Sequence, residues 1–385
     1  MLRRTYFVAR REWRYIMGNR RLKLIVMALP LLYIALFGML YSRHVVREIP
    51  TVILDESNTA LSREIVTAFR DAEKFRVVGY AASEAEVRQL LDTRRVTCAV
   101  VIPPDLDRRL RYAGDARIMV IVNGSNMLHS NAVVTAATEI VGTLSTGLSI
   151  HALEARGFLP AAAEKTALPL GLGLRVWYNP TFNYSNFLVP GLAATVAQQL
   201  TLLYVAVAVV REKEHGTLDE LRRSRVPAAA VILGKMAAYL PVNLLAFLGT
   251  VLVLVIFFAL PFRGSLVALL LLAAMFFLCI HALGIFLSTV CRNELEATQL
   301  AMLVAVPSFL FSGYTWPLHA MPLPARVIAH LLPLTYFATD VRDIAVVGIG
   351  VREVLPNLLV LAGAAAVLVP ASIYCFARRY GCVEP

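Results

Sequence analysis

The stretch REKEHGTLDELRRSRVP, residues 211–227, holds nine Asp, Glu, Lys or Arg among its 17 residues, whereas Phe187–Val210 before it and Met236–Phe262 after it hold none. A compact charged block between two apolar runs of that length reads as a loop joining two membrane spans. Composition agrees. The chain of 385 residues is 58% hydrophobic and 16% charged, with a mean hydropathy of +0.67, against the roughly half-apolar, quarter-charged balance of a soluble domain. This is the composition of a membrane protein. The net charge of +11 collects beside the apolar runs, which points to the anionic face of a bilayer and away from nucleic acid as a partner.

Working outward from the charged block, six stretches suit helices crossing ~30 Å of hydrocarbon, which takes about 20 residues. They are placed at 22–42, 187–210, 228–260, 264–291, 294–315 and 354–377. Lipid offers no partner to backbone amides, and the continuous apolarity lacks the alternation of a barrel strand, so these are helices. Seven Arg precede the first span and Lys23 stands at its start, six Lys and Arg lie at 211–235 and Arg378 and Arg379 follow the last. The positive-inside rule then puts both termini, the block at 211–227 and the tail at 378–385 in the cytoplasm. It puts residues 43–186 outside.

Residues 1–21 read as an interfacial amphipathic helix: Leu2, Tyr6, Ala9, Trp13 and Ile16 recur at intervals of three and four, with Arg3, Arg4, Arg10, Arg11 and Arg14 opposite. Its basic region is too long for a secretory leader and no A-x-A site follows. In the external segment, β-branched runs at 50–57, 75–80, 96–103 and 116–126 alternate with helical spacing at 61–72 and 83–95, where Ser83 and Glu86 suit a capping box. Alternation of this kind predicts an α/β or α+β domain. Residues 128–156 are apolar enough to pass for a seventh span, but Glu139, His151, Glu154 and Arg156 with breaks at Gly142 and Gly147 argue for a packed or stalk helix. Residues 174–185 return the chain to the membrane. The fold class expected is a membrane all-α bundle of six helices with an inserted extracytoplasmic α/β domain.

Catalytic equipment is missing from the pattern. The single Gly-Lys pair, Gly234-Lys235, is followed by Met236 and lacks the upstream glycine of a phosphate-binding loop, so the chain is expected to bind no ATP and no other cofactor. The five cysteines show no CxxC spacing and the seven histidines no HExxH pairing, which predicts neither a disulfide framework nor a metal site. Cys98 reads as a lone buried thiol in a strand. Within the charged block, Gly216 is expected to break the preceding helix, Thr217 to cap a short new one with an acidic start and a basic end, and Pro227 to end it. Such a helix suits a groove in a soluble partner; the plainer reading is a solvated loop.

These residues carry a resemblance. Arg211, Glu212, Glu214, Gly216, Thr217 and Leu221 followed by Gly234 and Lys235 resemble the R-E-x-E-x-G-T-x-x-x-L and G-K pattern of ABC-2 type transporter permeases, where it flanks a coupling helix. Residues 316–352, with the preceding Ser312 and Gly313, Pro317, Met321-Pro322, Pro333-Leu-Thr-Tyr336 and Arg342, are similar to that family's external segment before the last span. The link after Leu221, RRSRVPAA, is less apolar than in many relatives. The resemblance implies a non-enzymatic permease subunit in the bacterial inner membrane that pairs with a second permease chain, identical or paralogous. ATP and Mg would reside on a separate ATP-binding subunit docked through Arg211, Glu212, Glu214, Gly216, Thr217, Leu221 and Lys235. It also suggests export, with a periplasmic adaptor and an outer-membrane channel by analogy with members carrying a sizeable external domain.

Glu212 and Glu214 pair either with basic groups of that partner or with Arg211 and Lys213. Gln198, Gln199, Asn243 and His281 are pathway candidates, with bonding between helices as the alternative. Ser312, Gly313, Pro317, Pro333 and Tyr336 either gate the outer exit or cap the bundle, and Glu294 and Glu296 read as a helix cap or a gate. The rival class is a membrane-anchored sensor or assembly factor binding through the external domain. It calls for a cytoplasmic output domain, and only RRYGCVEP follows Ala377.

Overall fold

A computed structural model of the protein describes residues 1–40, 48–112, 116–124, 127–167, 178–179 and 183–380. It divides into two units, one drawn from 1–44 and 176–385 and the other from 45–175. Cys382, the end of the tail, residues 41–42 of the first span and most of the return segment 174–185 lie outside the described residues.

The first unit begins with α1 (Leu2–Gly18), which stops where Asn19 turns extended. The Asn19 side chain accepts from the Arg21 and Leu22 amides at 3.0 and 3.2 Å and so caps α2 (Arg20–Lys23). A π-helical turn, Leu24–Ala28, leads into α3 (Leu29–Leu40), with the Leu29 amide reaching back to the Leu24 carbonyl. Pro30 has no N–H to return, and the widened turn sits immediately before it.

The second unit alternates strand and helix: β1 (Ile49–Asp55), α4 (Ala60–Asp71), β2 (Phe75–Tyr80), α5 (Glu84–Asp92), β3 (Cys98–Ile102), α6 (Leu106–Tyr112) and β4 (Met119–Val122), followed by α7 (Met127–Glu154) and α8 (Pro160–Ala167). The sheet order is β2-β1-β3-β4, with β2, β1 and β3 parallel and β4 antiparallel at the edge, Ile53 facing Val100 and Ala99 facing Ile121. Side chains alternate between two cores, as the pleat demands. Ile49, Ile53, Cys98 and Val100 meet α4 and α7, whereas Val52, Leu54 and Ala99 meet α5. Ser83 caps α5, but the Glu86 carboxylate accepts from the Ala82 amide at 2.8 Å, one residue beyond the box expected. Helix α6 has no counterpart in the sequence reading. Cys98 is fully buried, and burial, eased by the Thr51 hydroxyl, pushes its thiol up to about 12.

The first unit resumes with α9 (Tyr184–Ala206), α10 (Val210–Glu214), α11 (Thr217–Arg223), α12 (Ala228–Phe257), α13 (Leu266–Val290), α14 (Glu294–Phe311), α15 (Leu323–Leu331), α16 (Pro333–Arg342) and α17 (Val351–Tyr380). Helix α13 is central, packed by α9, α12, α16 and α17. Phe276 on α13 stacks on Phe337 of α16 with centroids 3.9 Å apart, and the short helices α15 and α16 fold back against the bundle instead of continuing α14. Helices α9, α12 and α13 are apolar nearly all round, as expected where the solvent is lipid.

Among the described residues seven helices, not six, are long and apolar enough to cross a membrane, and the additional one covers His129–Glu154. Gly142 and Gly147 do not interrupt α7. A glycine with helical neighbours costs only about 1 kcal/mol, too little to break a 28-residue helix. One stripe of α7, Val133, Ala136 and Ala137 with Ile140, Val141 and Leu144 beside it, joins the core on one face of the sheet.

Candidate functional site

The charged block folds as two short helices around a left-handed turn. Helix α9 ends at Ala206, and the Val209 and Val210 amides beyond it donate to the Ser288 hydroxyl at 2.9 and 3.1 Å. Gly216 takes φ +71°, a conformation that side chains bearing Cβ avoid, and separates α10 from α11. It thereby follows the end of α10, whereas the helix of the second span, expected to run to this glycine, already stops at Ala206. The cap differs from expectation: Gly216, not Thr217, occupies the N-cap, and the Thr217 hydroxyl donates back to the Glu212 carbonyl at 3.3 Å. Helix α11 ends at Arg223, before Pro227, which begins α12 instead. Leu218 and Leu221 anchor α11 in the core, leaving Asp219, Glu220, Arg222 and Arg223 exposed.

Inside this turn lies a cluster of charge. Glu12 of α1 is 2% exposed, Glu212 3% and Lys235 0%. The Lys235 ammonium contacts Glu12 Oε2 and Glu212 Oε1, each at 3.1 Å, and donates to the Ala208 carbonyl at 3.2 Å. Arg211 reaches Glu12 Oε1 at 3.2 Å and lies 3.9 Å over the Tyr15 ring, Tyr239 donates its hydroxyl to Glu12 Oε1 at 2.8 Å, and Arg11 pairs with Glu212. Burial alone would raise the Glu12 carboxyl. Lys235, Arg211 and the Tyr239 hydroxyl outweigh it and hold the group below the usual carboxylate range. Three cations thus enclose two carboxylates, beside a crevice of about 320 Å³ whose lining includes Tyr15, His215, Thr217 and Glu220.

Glu12 went unread in the sequence, although it is the sole acid among the first 47 residues. Of the stripe read on α1, Leu2, Tyr6 and Trp13 stand exposed, whereas the side packed on α12 is Val8, Glu12 and Ile16. Glu214 is exposed and accepts from the Glu294 amide at 3.1 Å. Glu296 accepts from the Arg292 amide at 2.7 Å and Asn293 is the N-cap of α14, so of the two acids at its start Glu296 takes part in the cap.

Asn243 donates to His281 Nε2 at 2.6 Å and accepts from the Tyr204 hydroxyl, a buried chain linking α9, α12 and α13. Gln198 is buried with Oε1 unpartnered, and His281 Nδ1 likewise. Gln199 instead lines an apolar groove of about 320 Å³ with Tyr33, Phe37, Thr195, Met302 and Phe309. Toward the other end, Ser312 donates to the Phe309 carbonyl at 2.8 Å, Gly313 turns at φ +77°, Pro317 begins a 3₁₀ turn, Pro333 starts α16, and the Tyr336 hydroxyl donates to the His330 carbonyl at 2.8 Å. These five are not brought to the charged junction. No group of three or more His, Cys, Asp or Glu that would suit a metal occurs among the described residues.

The first unit is a multi-span helical bundle with a buried charged cluster at the junction of α1, α10 and α12. The family model described as ABC-2 family transporter protein matches residues 21–374, and the chain belongs to this family. It is 26% identical over 347 residues to the "Probable multidrug ABC transporter permease YbhR" of Escherichia coli (strain K12), covering 89% of this chain and 90% of that protein. Similarity extends to the "Inner membrane transport permease YhhJ" of the same organism, 24% over 336 residues and 86% of each chain. It extends also to the "ABC transporter G family member 20" of Dictyostelium discoideum, 29% over 188 residues, 48% of this chain and 26% of that one. The chain is therefore the membrane subunit of an ABC transporter, a multi-pass protein of the permease kind.

Proposed function

We propose that the chain is one half of the membrane channel of an ATP-driven exporter in a bacterial inner membrane, with both termini and α11 on the cytoplasmic side. Two permease chains pair, and ATP-binding subunits carrying ATP and Mg dock on α11. Closure of those subunits rocks the bundle between inward-open and outward-open states. The observation that carries this reading is α11, whose apolar residues Leu218 and Leu221 are sunk in the bundle while Asp219, Glu220, Arg222 and Arg223 point away from it. A rigidly rooted helix with a free polar face can receive a partner and pass its movement inward. The groove beside Gln199, walled by aromatic and aliphatic side chains with few polar groups, supports a lipophilic cargo such as the drugs named for the YbhR relative. The size of the inserted unit supports engagement of a periplasmic adaptor and through it an outer-membrane channel.

Photo-crosslinkers at Glu220 and Arg222 test the reading. They should capture an ATP-binding subunit in membranes, and that subunit should co-purify with the permease and hydrolyse ATP. Crosslinks found solely to lipid or to this chain would overturn it.

A further inference from the structure

Gly234 and Lys235 lie where α12 passes beneath α1. A Cβ at Gly234 would meet Val8 Cβ at 2.7 Å and the Thr5 carbonyl oxygen at 2.9 Å. No side chain larger than hydrogen leaves α1 its place. One residue on, the Lys235 ammonium is fully buried and contacts the Glu12 carboxylate, while Glu212 pairs with the same ammonium and with Arg11 of α1. Glycine admits the helix and lysine charges the seat. Residues that look outward to a partner when read along the chain are folded inward here to receive α1.

We propose that Glu12 is a positioning residue of the coupling machinery: its carboxylate is the tether by which α1 is fastened to α10 and α12, so that α1 travels with the coupling segment as one lever. The inference rests on the exporter reading for its function and on the ion cluster for its geometry. Three cations against two carboxylates leave the cluster one positive charge in excess. Removing the Glu12 charge doubles that excess, takes from Arg211 its carboxylate partner and leaves Lys235 and Arg11 sharing Glu212, an arrangement that a buried site resists by separating the charges. The element free to move is α1. Neutralising Lys235 as well restores the original excess.

The test uses the assembled complex of permease and ATP-binding subunit with the native cysteines replaced, and reports at two introduced thiols. Val8→Cys is buried under α1 and should react slowly with N-ethylmaleimide; Gln199→Cys, in the groove, should change its reactivity between the nucleotide-free complex and the complex trapped with ATP and vanadate. With Glu12→Gln, labelling of Val8→Cys should rise about tenfold or more, and the response of Gln199→Cys to trapping should disappear while ATP hydrolysis continues. Adding Lys235→Met should bring both back toward the parent values. A merely structural role would lower the yield of complex without touching the trapping response.

Protection of Val8→Cys and an intact trapping response in Glu12→Gln would overturn the proposal, as would a double variant no better than the single. Should Glu12→Gln fail to accumulate, Glu12→Asp, which keeps the charge and withdraws it by one methylene, should show the same changes in smaller degree, and unchanged labelling there would count equally against it. If no ATP-binding subunit associates even with the parent chain, the exporter reading falls, while the Val8→Cys labelling still judges the tether.

Discussion

Glu212 and Glu214 look interchangeable in the sequence and occupy opposite environments in the fold. Glu212 is enclosed by Arg11 and Lys235, whereas Glu214 stands in the open. Glu212→Lys puts a fourth cation into a cluster left with one carboxylate and should destabilise the junction by about 3–5 kcal/mol, as breaking buried pairs does. Glu214→Lys should change stability by no more than about 0.5 kcal/mol. Thermal unfolding of the two purified variants checks the contrast, and equal losses would refute it. The low-titrating Glu12 carboxyl sets a sign for pH. A carboxyl held below its unfolded value stabilises the fold fully above that value and loses its effect as pH falls through the folded one. Loosening of α1, followed by the fluorescence of a variant retaining Trp13 alone, should therefore begin only below the ordinary carboxylate range, and Glu12→Gln should show no transition there. Glu12 escaped the sequence reading because its meaning depends on Lys235, 223 residues away. A helical stripe weighed by its apolar members passes over an acid placed between Val8 and Ile16.

Helices and strands were more legible than their ends. The strands at 75–80 and near 50–57 and 98–102 follow from β-branched runs, because strand periodicity is a local property. The caps were not, since a cap is chosen by whichever backbone conformation the turn demands. At residue 216 the turn demands a positive φ, so glycine takes the N-cap that a hydroxyl would usually fill. Nothing lies within 4 Å of a Cβ built there. Gly216→Ala should therefore cost about 1–2 kcal/mol through backbone strain alone, and Gly216→Asn less, because asparagine tolerates the left-handed region. Denaturation midpoints would show the order, and a more stable alanine variant would refute the turn.

For the whole molecule, the class of protein was legible from hydropathy, but the number of crossings was not. Hydropathy cannot tell a helix bathed in lipid from one lying on a sheet, and α7 meets the length and apolarity of a span while presenting Val133, Ala136 and Ala137 to the sheet. The packed arrangement predicts that Thr67→Cys before α7 and Glu164→Cys after it, both exposed, react with an impermeant maleimide from the same side of the membrane. Reaction from opposite sides would make α7 a seventh crossing. Helix α1 has a final consequence of its own. Fastened to the protein along Val8, Glu12 and Ile16, it turns Leu2, Tyr6 and Trp13 away from the protein, where a membrane subunit meets acyl chains and headgroups. On the proposed lever, a stroke drags that flank through the bilayer, so lipid viscosity and thickness should brake it, and transport should run at different speeds in differently composed membranes.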